Sequence, residues 1–273
     1  MADFNPPFAN SGSKRPPNST EITNGFPCGA LDRDLFNWLF YSTQAEINAV
    51  IVDAGIEPSN SSYNQLLQAL KRIVGRGRRV QVFQANGTFT VPADSSSITV
   101  TVVGGGGGGG YADNTGFSGG GGGAGGFAQG PIAVTPGQTF NVIVGQGGIG
   151  GSAGAGSGQD GGTTSFGNAM SATGGKGGLG NVGYASGGEG GEGVGGLLNF
   201  KGSWGTDGRH GTTSYPGDGG SGPWGGSGRG AAANGTKAPN GAAPGAGGGG
   251  CYGSPSPAMV GGDGADGIVI VEY

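Results

Sequence analysis

Between Gly104 and Gly267 glycine returns in steps of three, and that phase constrains the fold more than any other feature of the chain. Gly145, Gly148, Gly151 and Gly154 form one run, and Gly174, Gly177, Gly180 and Gly183 another. Gly187, Gly190, Gly193 and Gly196 form a third. The polyproline-II helix has this period, with about 3 residues per turn and about 3.1 Å rise. Glycine at every third place strips one face of such a helix of Cβ atoms. Two such faces can approach until backbone hydrogen bonds form between them. A flexible linker is the competing reading. Against it stand the bulky inserts Phe200, Trp204, Tyr215, Trp224 and Tyr252, because solvated linkers are poor in aromatics. Collagen is a poorer match, since Gly-X-Y breaks at every insert and only 15 residues are proline.

Hydrophobic residues make up 33% of the 273 positions and charged residues 11%, so no large aliphatic core is available beyond residue 103. The net charge of −4 gives no global attraction to nucleic acid. Met1 to Asn24 is polar and lacks the apolar centre of a signal peptide. No apolar run is long enough for a transmembrane helix, so membrane insertion is not expected. Cys28 and Cys251 have no metal-ligand spacing and read as free thiols.

Residues 1–30 read as an extended arm for attachment, kept from helix by Pro6-Pro7 and Pro16-Pro17, or else as a disordered tail. Residues 31–79 read as a two-helix oligomerisation or anchoring region. A first helix is predicted from Asp32 to Val52, ended by Gly55 and Pro58, with Phe36, Phe40, Ile47 and Val50 on a coiled-coil-like seam. A second is predicted over about Ser62 to Val74, with Leu66 and Leu70 in its apolar stripe. These six residues are the expected oligomer interface. The cations Lys71, Arg72, Arg76, Arg78 and Arg79 fit a helix C-terminus better than a nucleic-acid patch.

The period then changes to two. Residues 80–103 read as a β segment leading into the head, with a hairpin predicted at Asn86-Gly87. Ile98 to Val103 alternates cleanly and runs into seven glycines. Ile132 to Val144, turning at Pro136-Gly137, and Ile268 to Val271 are further predicted strands. Together they form a small β base for residues 104–273.

The pieces TFTVPADSSSITVTVVGGGGGGG, FAQGPIAVTPGQTFNVIVGQGG, GGTTSFGNAMSATGGKGG and DGADGIVIVEY resemble the glycine-rich domain of bacteriophage tail fibre proteins. NGFPCGALDRDLFNWLFYSTQAEINAV and YNQLLQALKRIV resemble the leading region of short tail fibres. The head is similar in character to the tip adhesins of T-even-like phages, in which packed polyglycine-II helices form a slab whose loops touch the bacterial receptor. The resemblance implies a virion protein, assembled in the host cytoplasm, that joins the baseplate or tail through its N-terminal region. It implies a homotrimer and recognition of an outer-membrane protein or glycan. The fold so expected is mixed: an N-terminal α-helical oligomerisation region, a small β-sheet base, and a glycine-rich domain of packed polyglycine-II helices.

No enzyme is legible. G-x-G-x-x-G recurs by composition, without a βαβ unit around it. Lys176 lacks the following Ser or Thr of a P-loop, and His210 is the only histidine, so no catalytic residue, metal site or cofactor is assigned. Glu189 and Glu192 read as a solvated face. Recognition falls to the residues that interrupt the glycines: Tyr111, Phe117, Phe200, Trp204, Tyr215, Trp224 and Tyr252, since Trp and Tyr are typical interface anchors. Successive inserts are expected to alternate between the two ends of the glycine helices. The alternatives are a purely structural fibre segment and an ice-binding glycine-helix protein.

Overall fold

The computed structural model describes residues 30–75, 79–113, 117–209, 215–231, 237–253 and 259–273. The predicted arm, Cys28 and His210 lie outside them. The chain divides into two compact units, Met1–Gly77 and Arg78–Tyr273.

The described chain is mostly β. Twelve strands build two five-stranded sheets and a two-stranded one, beside only two helices, of 24 and 11 residues. This overturns the expected mixed fold, because a large helical oligomerisation region is not seen. Helix α1 (Ala30–Asp53) ends where Gly55 turns to φ +69° and Ile56 N–H bonds back to the Ile51 carbonyl. Helix α2 (Gln65–Gly75) meets it through Ile51, Ala54 and Ala69, and Arg72 donates to the Ala54 and Gly55 carbonyls at 3.2 Å. The apolar residues of α1 are spread around the helix rather than gathered on one seam. Leu39, Phe40, Tyr41, Ile47 and Val52 are all exposed, as are Leu66 and Leu70 of α2, while Val50 packs against the small α1–α2 cluster. Phe36 lies in α1.

The second unit starts from a two-sheet sandwich. Sheet 1 runs β1 (Val80–Phe83), β12 (Ile268–Glu272), β3 (Ser97–Val103), β4 (Phe127–Ala133), β10 (Leu198–Phe200). Sheet 2 runs β2 (Gly87–Thr90), β5 (Thr139–Ile143), β6 (Thr164–Phe166), β7 (Met170–Ala172), β9 (Gly193–Val194). Alternate residues Ile98, Val100, Val102, Val269 and Val271 of sheet 1 pack on Phe89, Phe140, Val142, Phe166 and Met170 of sheet 2. Phe140 stacks on Phe166 at 4.5 Å between ring centroids. The hairpin expected at Asn86-Gly87 does not form: β1 pairs with β12 and β2 with β5. A two-residue turn of that kind needs positive φ, which Gly87 does not adopt. The Asn86 carboxamide instead accepts the Val144 N–H at 2.8 Å, which fixes the crossing from one sheet to the other.

Beyond the sandwich the glycine segments run as rods. In the rod 104–111, Gly104, Gly107 and Gly110 donate to Gly126, Gly123 and Gly120. Gly105, Gly108 and Tyr111 donate to Gly162, Gln159 and Gly156, and Gly106 and Gly109 to Ala265 and Gly262. Direction repeats every third residue, the symmetry of a polyproline-II-type helix. Carbonyls of the same rod accept from Gly148 and Gly151, from Gly175 and Gly178, and from Gly248 and Cys251. It therefore has six neighbours. The rods 119–126 and 245–251 are likewise surrounded, and each of the three touches the other two. Around them closes a ring in the order 145–151, 158–162, 173–180, 186–192, 202–207, 217–222, 228–231, 238–241 and 261–267. The arrangement is a compact bundle with a three-rod centre, not a slab.

Sequence marks each position in this bundle. The central rods carry uninterrupted glycine apart from Ala124, Ala246 and the end residues Tyr111 and Cys251. A Cβ on any glycine from Gly104 to Gly110 would overlap a neighbouring backbone carbonyl. Ring rods leave one residue in three facing solvent: Gln146 and Ile149, Thr173, Lys176 and Leu179, or Ser186, Glu189 and Glu192. Where the ring lacks an outer neighbour, aspartates stand in for its carbonyls. Asp266 accepts the Gly147 N–H, Asp263 that of Gly150, Asp160 that of Gly177 and Asp207 that of Gly187, at 2.7 to 2.9 Å.

Two predictions follow from this packing. Gly107→Ala places a methyl against the Lys176 carbonyl. It should cost near the top of the ~1–3 kcal/mol range for overpacking, or about 6–12 °C in Tm by circular dichroism, whereas Gln146→Ala stays within about 0.5 kcal/mol. The second concerns acid. Burial alone would raise Asp160 and Asp263, but bonds to Lys176 and the Gly177 N–H, and to the Gly150 N–H and Lys237, hold both carboxyls below their ordinary value. A folded value below the unfolded one gives stability that is present above about pH 4 and is lost as pH falls through the folded value. Tm should therefore drop more steeply below pH 4 in wild type than in Asp263→Asn, which cannot take up the proton.

Candidate recognition surface at the loop end

Strand directions decide which inserts share an end. β3 leads into rod 104–111, and rod 119–126 returns to β4. β5, β7 and β10 each lead into a rod, and rods return to β6, β9 and β12. Rods therefore alternate in direction, and one set of turns gathers at the pole away from the sandwich. Its described residues include Ala112, Asp113, Phe117, Ser152 to Ala155, Asn181 to Ala185, Arg209, Tyr215, Ala231, Lys237 and Tyr252. The chain enters this unit at the other pole. Arg79 exchanges two backbone hydrogen bonds with Tyr273 at 2.9 Å, and its guanidinium lies over the Tyr273 ring and forks onto Asp94.

The loop pole has its own small core. Ala112, Ala238, Cys251 and Met259 are buried together, with Ala231 against them. The Ala112 N–H donates to Cys251 Sγ at 3.0 Å, and the thiol donates to the Met259 carbonyl at 2.6 Å. Burial pushes this thiol up to about 12. Asn181 takes φ +57°, donating to the Tyr111 carbonyl at 2.7 Å, and so turns the chain at the rod's end.

The same pole carries a short ladder. β8 (Tyr184–Ala185) pairs with β11 (Gly208–Arg209), which puts Tyr184 opposite Arg209. Arg209 is in turn bridged to Tyr215, through backbone bonds of 2.8 and 3.0 Å. Residues directly opposite across an antiparallel pair project to the same face. Tyr184, Arg209 and Tyr215 thus form one row. Tyr184 is 81% exposed and Tyr215 59%. The Ser118 hydroxyl donates to the Arg209 carbonyl at 2.8 Å and fixes the ladder to the central rods.

A family model described as Glycine-rich domain matches residues 83–273. The chain belongs to the glycine-rich domain family. No curated protein matches it.

The residues singled out from sequence separate within the glycine-rich domain. Tyr111 is buried at the end of its rod, Phe117 and Tyr252 are half-buried at the loop pole, and Tyr215 is exposed there. Phe200, Trp204 and Trp224 lie elsewhere, on the outer rods and turns toward the sandwich. Tyr184 and Arg209 were not among them, because their adjacency arises only from the β8–β11 pairing. Glu189 and Glu192 both reach Lys201, which also sits over the Trp204 ring at 5.6 Å. Among the described residues no group of His, Cys, Asp and Glu could hold a metal ion, and no helix is long and apolar enough to cross a membrane. The packing of Cys251 sets a test: at pH 8 iodoacetamide should leave it unmodified in the folded protein and label it fully in denaturant, read by peptide mass spectrometry.

Proposed function

We infer that this chain is a phage tail fibre protein whose glycine-rich domain binds a receptor on the bacterial surface. The observation that carries the reading is the gathering of the loop turns at one pole of a hydrogen-bonded bundle, opposite the point where the chain enters. That polarity suits a head tethered at the sandwich and turned outward. A closely bonded scaffold lets its loops vary without disturbing the rods. On that pole Tyr184, Arg209 and Tyr215 supply two aromatic faces and a planar cation, the side chains most enriched among residues that dominate binding energy. The N-terminal region joins the tail or baseplate in this reading. The receptor is an outer-membrane protein or surface glycan, and no step of chemical catalysis is involved.

Adsorption of the purified chain to host cells provides the test. Tyr184→Ala and Tyr215→Ala should each weaken binding about tenfold, with Tm within about 2 °C of wild type, because both side chains are largely exposed. Unchanged adsorption in the double variant, or exchange of the whole glycine-rich domain without change of host range, would make the domain a structural segment.

A further inference from the structure

The outer face of sheet 1 is not covered evenly. Where the rods leave the sandwich a groove of about 640 Å³ remains, within the ~300–1,000 Å³ typical of small-ligand sites. One wall is the sheet face, with Thr101, Phe127 and Gln129. The other is formed by rods 202–207 and 217–222 and by the turn that carries Trp224.

These two rods separate as they approach the sheet. At Thr206 they are joined by a backbone N–H donating to the Asp218 carbonyl at 2.8 Å. One turn nearer the sandwich the Ser221 carbonyl is taken by the Ser203 hydroxyl at 3.1 Å. A side chain thus replaces the direct backbone bond, and the cleft begins there.

Aromatic surface enters the groove from both walls. The register puts Phe200 opposite Phe127, and their ring centroids are 5.7 Å apart. Phe200 is 56% exposed and Trp224 51%, which leaves much open ring surface. Between the rings stand hydrogen-bonding groups, among them Gln129, which donates to the Thr101 hydroxyl at 2.8 Å, and the carboxylate of Glu272 lines the groove beside them. The charge of Lys201 is already engaged by Glu189 and Glu192. Much of the wall is contributed by central strands of sheet 1 and faces outward, so it offers no free main-chain ladder to an added peptide strand. A ligand that satisfies this lining carries no negative charge, has flat apolar faces and carries hydroxyls at its rim, which the carboxylate and the neutral groups can accept.

We propose that the groove over sheet 1 is a saccharide-binding site, in which Phe200 and Trp224 pack on the faces of pyranose rings and Gln129, held by Thr101, together with Ser203, Ser221 and Glu272 serves their hydroxyls. It lies away from the Tyr184–Arg209–Tyr215 row and acts whether or not that row binds a receptor.

Isothermal titration of the full chain with neutral oligosaccharides of glucose, galactose, mannose and N-acetylglucosamine tests the site. At least one series should bind. Phe200→Ala and Trp224→Ala should each weaken it about tenfold at unchanged Tm, while Tyr184→Ala and Tyr215→Ala leave it unchanged. Failure of every series to bind overturns the proposal, as does binding that survives the double groove variant. Concentration-dependent dimers in light scattering that Trp224→Ala abolishes overturn it too, by making the groove a contact between copies. Loss of host adsorption in the loop-pole variants bears on the receptor reading alone.

Discussion

The hydrogen bond between a rod's N–H and a neighbour's carbonyl needs the two backbones close together, and in this bundle that closeness rests on Cα atoms that are almost all bare. Every other property of the bundle depends on that approach. Glycine loses roughly 0.5–1 kcal/mol more than alanine when ordered in regular structure, and each bond returns about 0.5–1.5 kcal/mol net. A rod with one neighbour gains little against that loss. A rod with six neighbours has its donors and acceptors engaged in all directions, which is why the centre consists of nearly pure glycine and the ring does not. The ring in turn needs substitutes where the lattice ends, and Asp160, Asp207, Asp263 and Asp266 supply them. The excess acid of this region therefore has a structural use at the boundary of the lattice.

The sandwich gives the rods a fixed starting register. Phe89, Phe140 and Phe166 form the large apolar cluster that the glycine segments cannot supply. Because several strands continue directly into rods, the spacing of each sheet is passed into the bundle. The same continuity sets the direction of each rod and thereby collects one set of turns at a single pole. Recognition and support are thus separated by the length of a rod.

Much of the β framework could be read from residues. Ile98 to Val103 became β3 because its apolar residues alternate with threonine, and Ile268 to Val271 became β12 because a short run of β-branched apolar residues suits a strand of the core. Pro136-Gly137 marked a turn, and Gly137 adopts φ +80°. The Asn86-Gly87 hairpin was misread because local turn chemistry is indifferent to whether two strands share a sheet. The helical region was overstated in extent, since only two helices stand beside twelve strands among the described residues, and the spacing of Phe40, Ile47 and Leu66 carries no information about a partner. The uninterrupted runs at 104–110, 119–123 and 247–250 were visible from the start. Their meaning, a rod enclosed on six sides, needed the topology. The same holds for the surface sites: Tyr184 and Arg209 are 25 positions apart, and Phe127 and Phe200 are 73 apart.

The three central rods are drawn from opposite ends of the unit, two from residues 104–126 and the third from residues 245–251. β12, the partner of both β1 and β3, comes later still. A chain emerging from the ribosome therefore exposes seven consecutive glycines long before the rod that encloses them exists. Non-local pairings of this kind are slow to form, because loop closure precedes any gain from the contacts. The domain assembles as a whole only after nearly all of it has been synthesised, so a truncation near the C-terminus removes a strand from the sandwich and leaves the centre of the bundle without its closing partners.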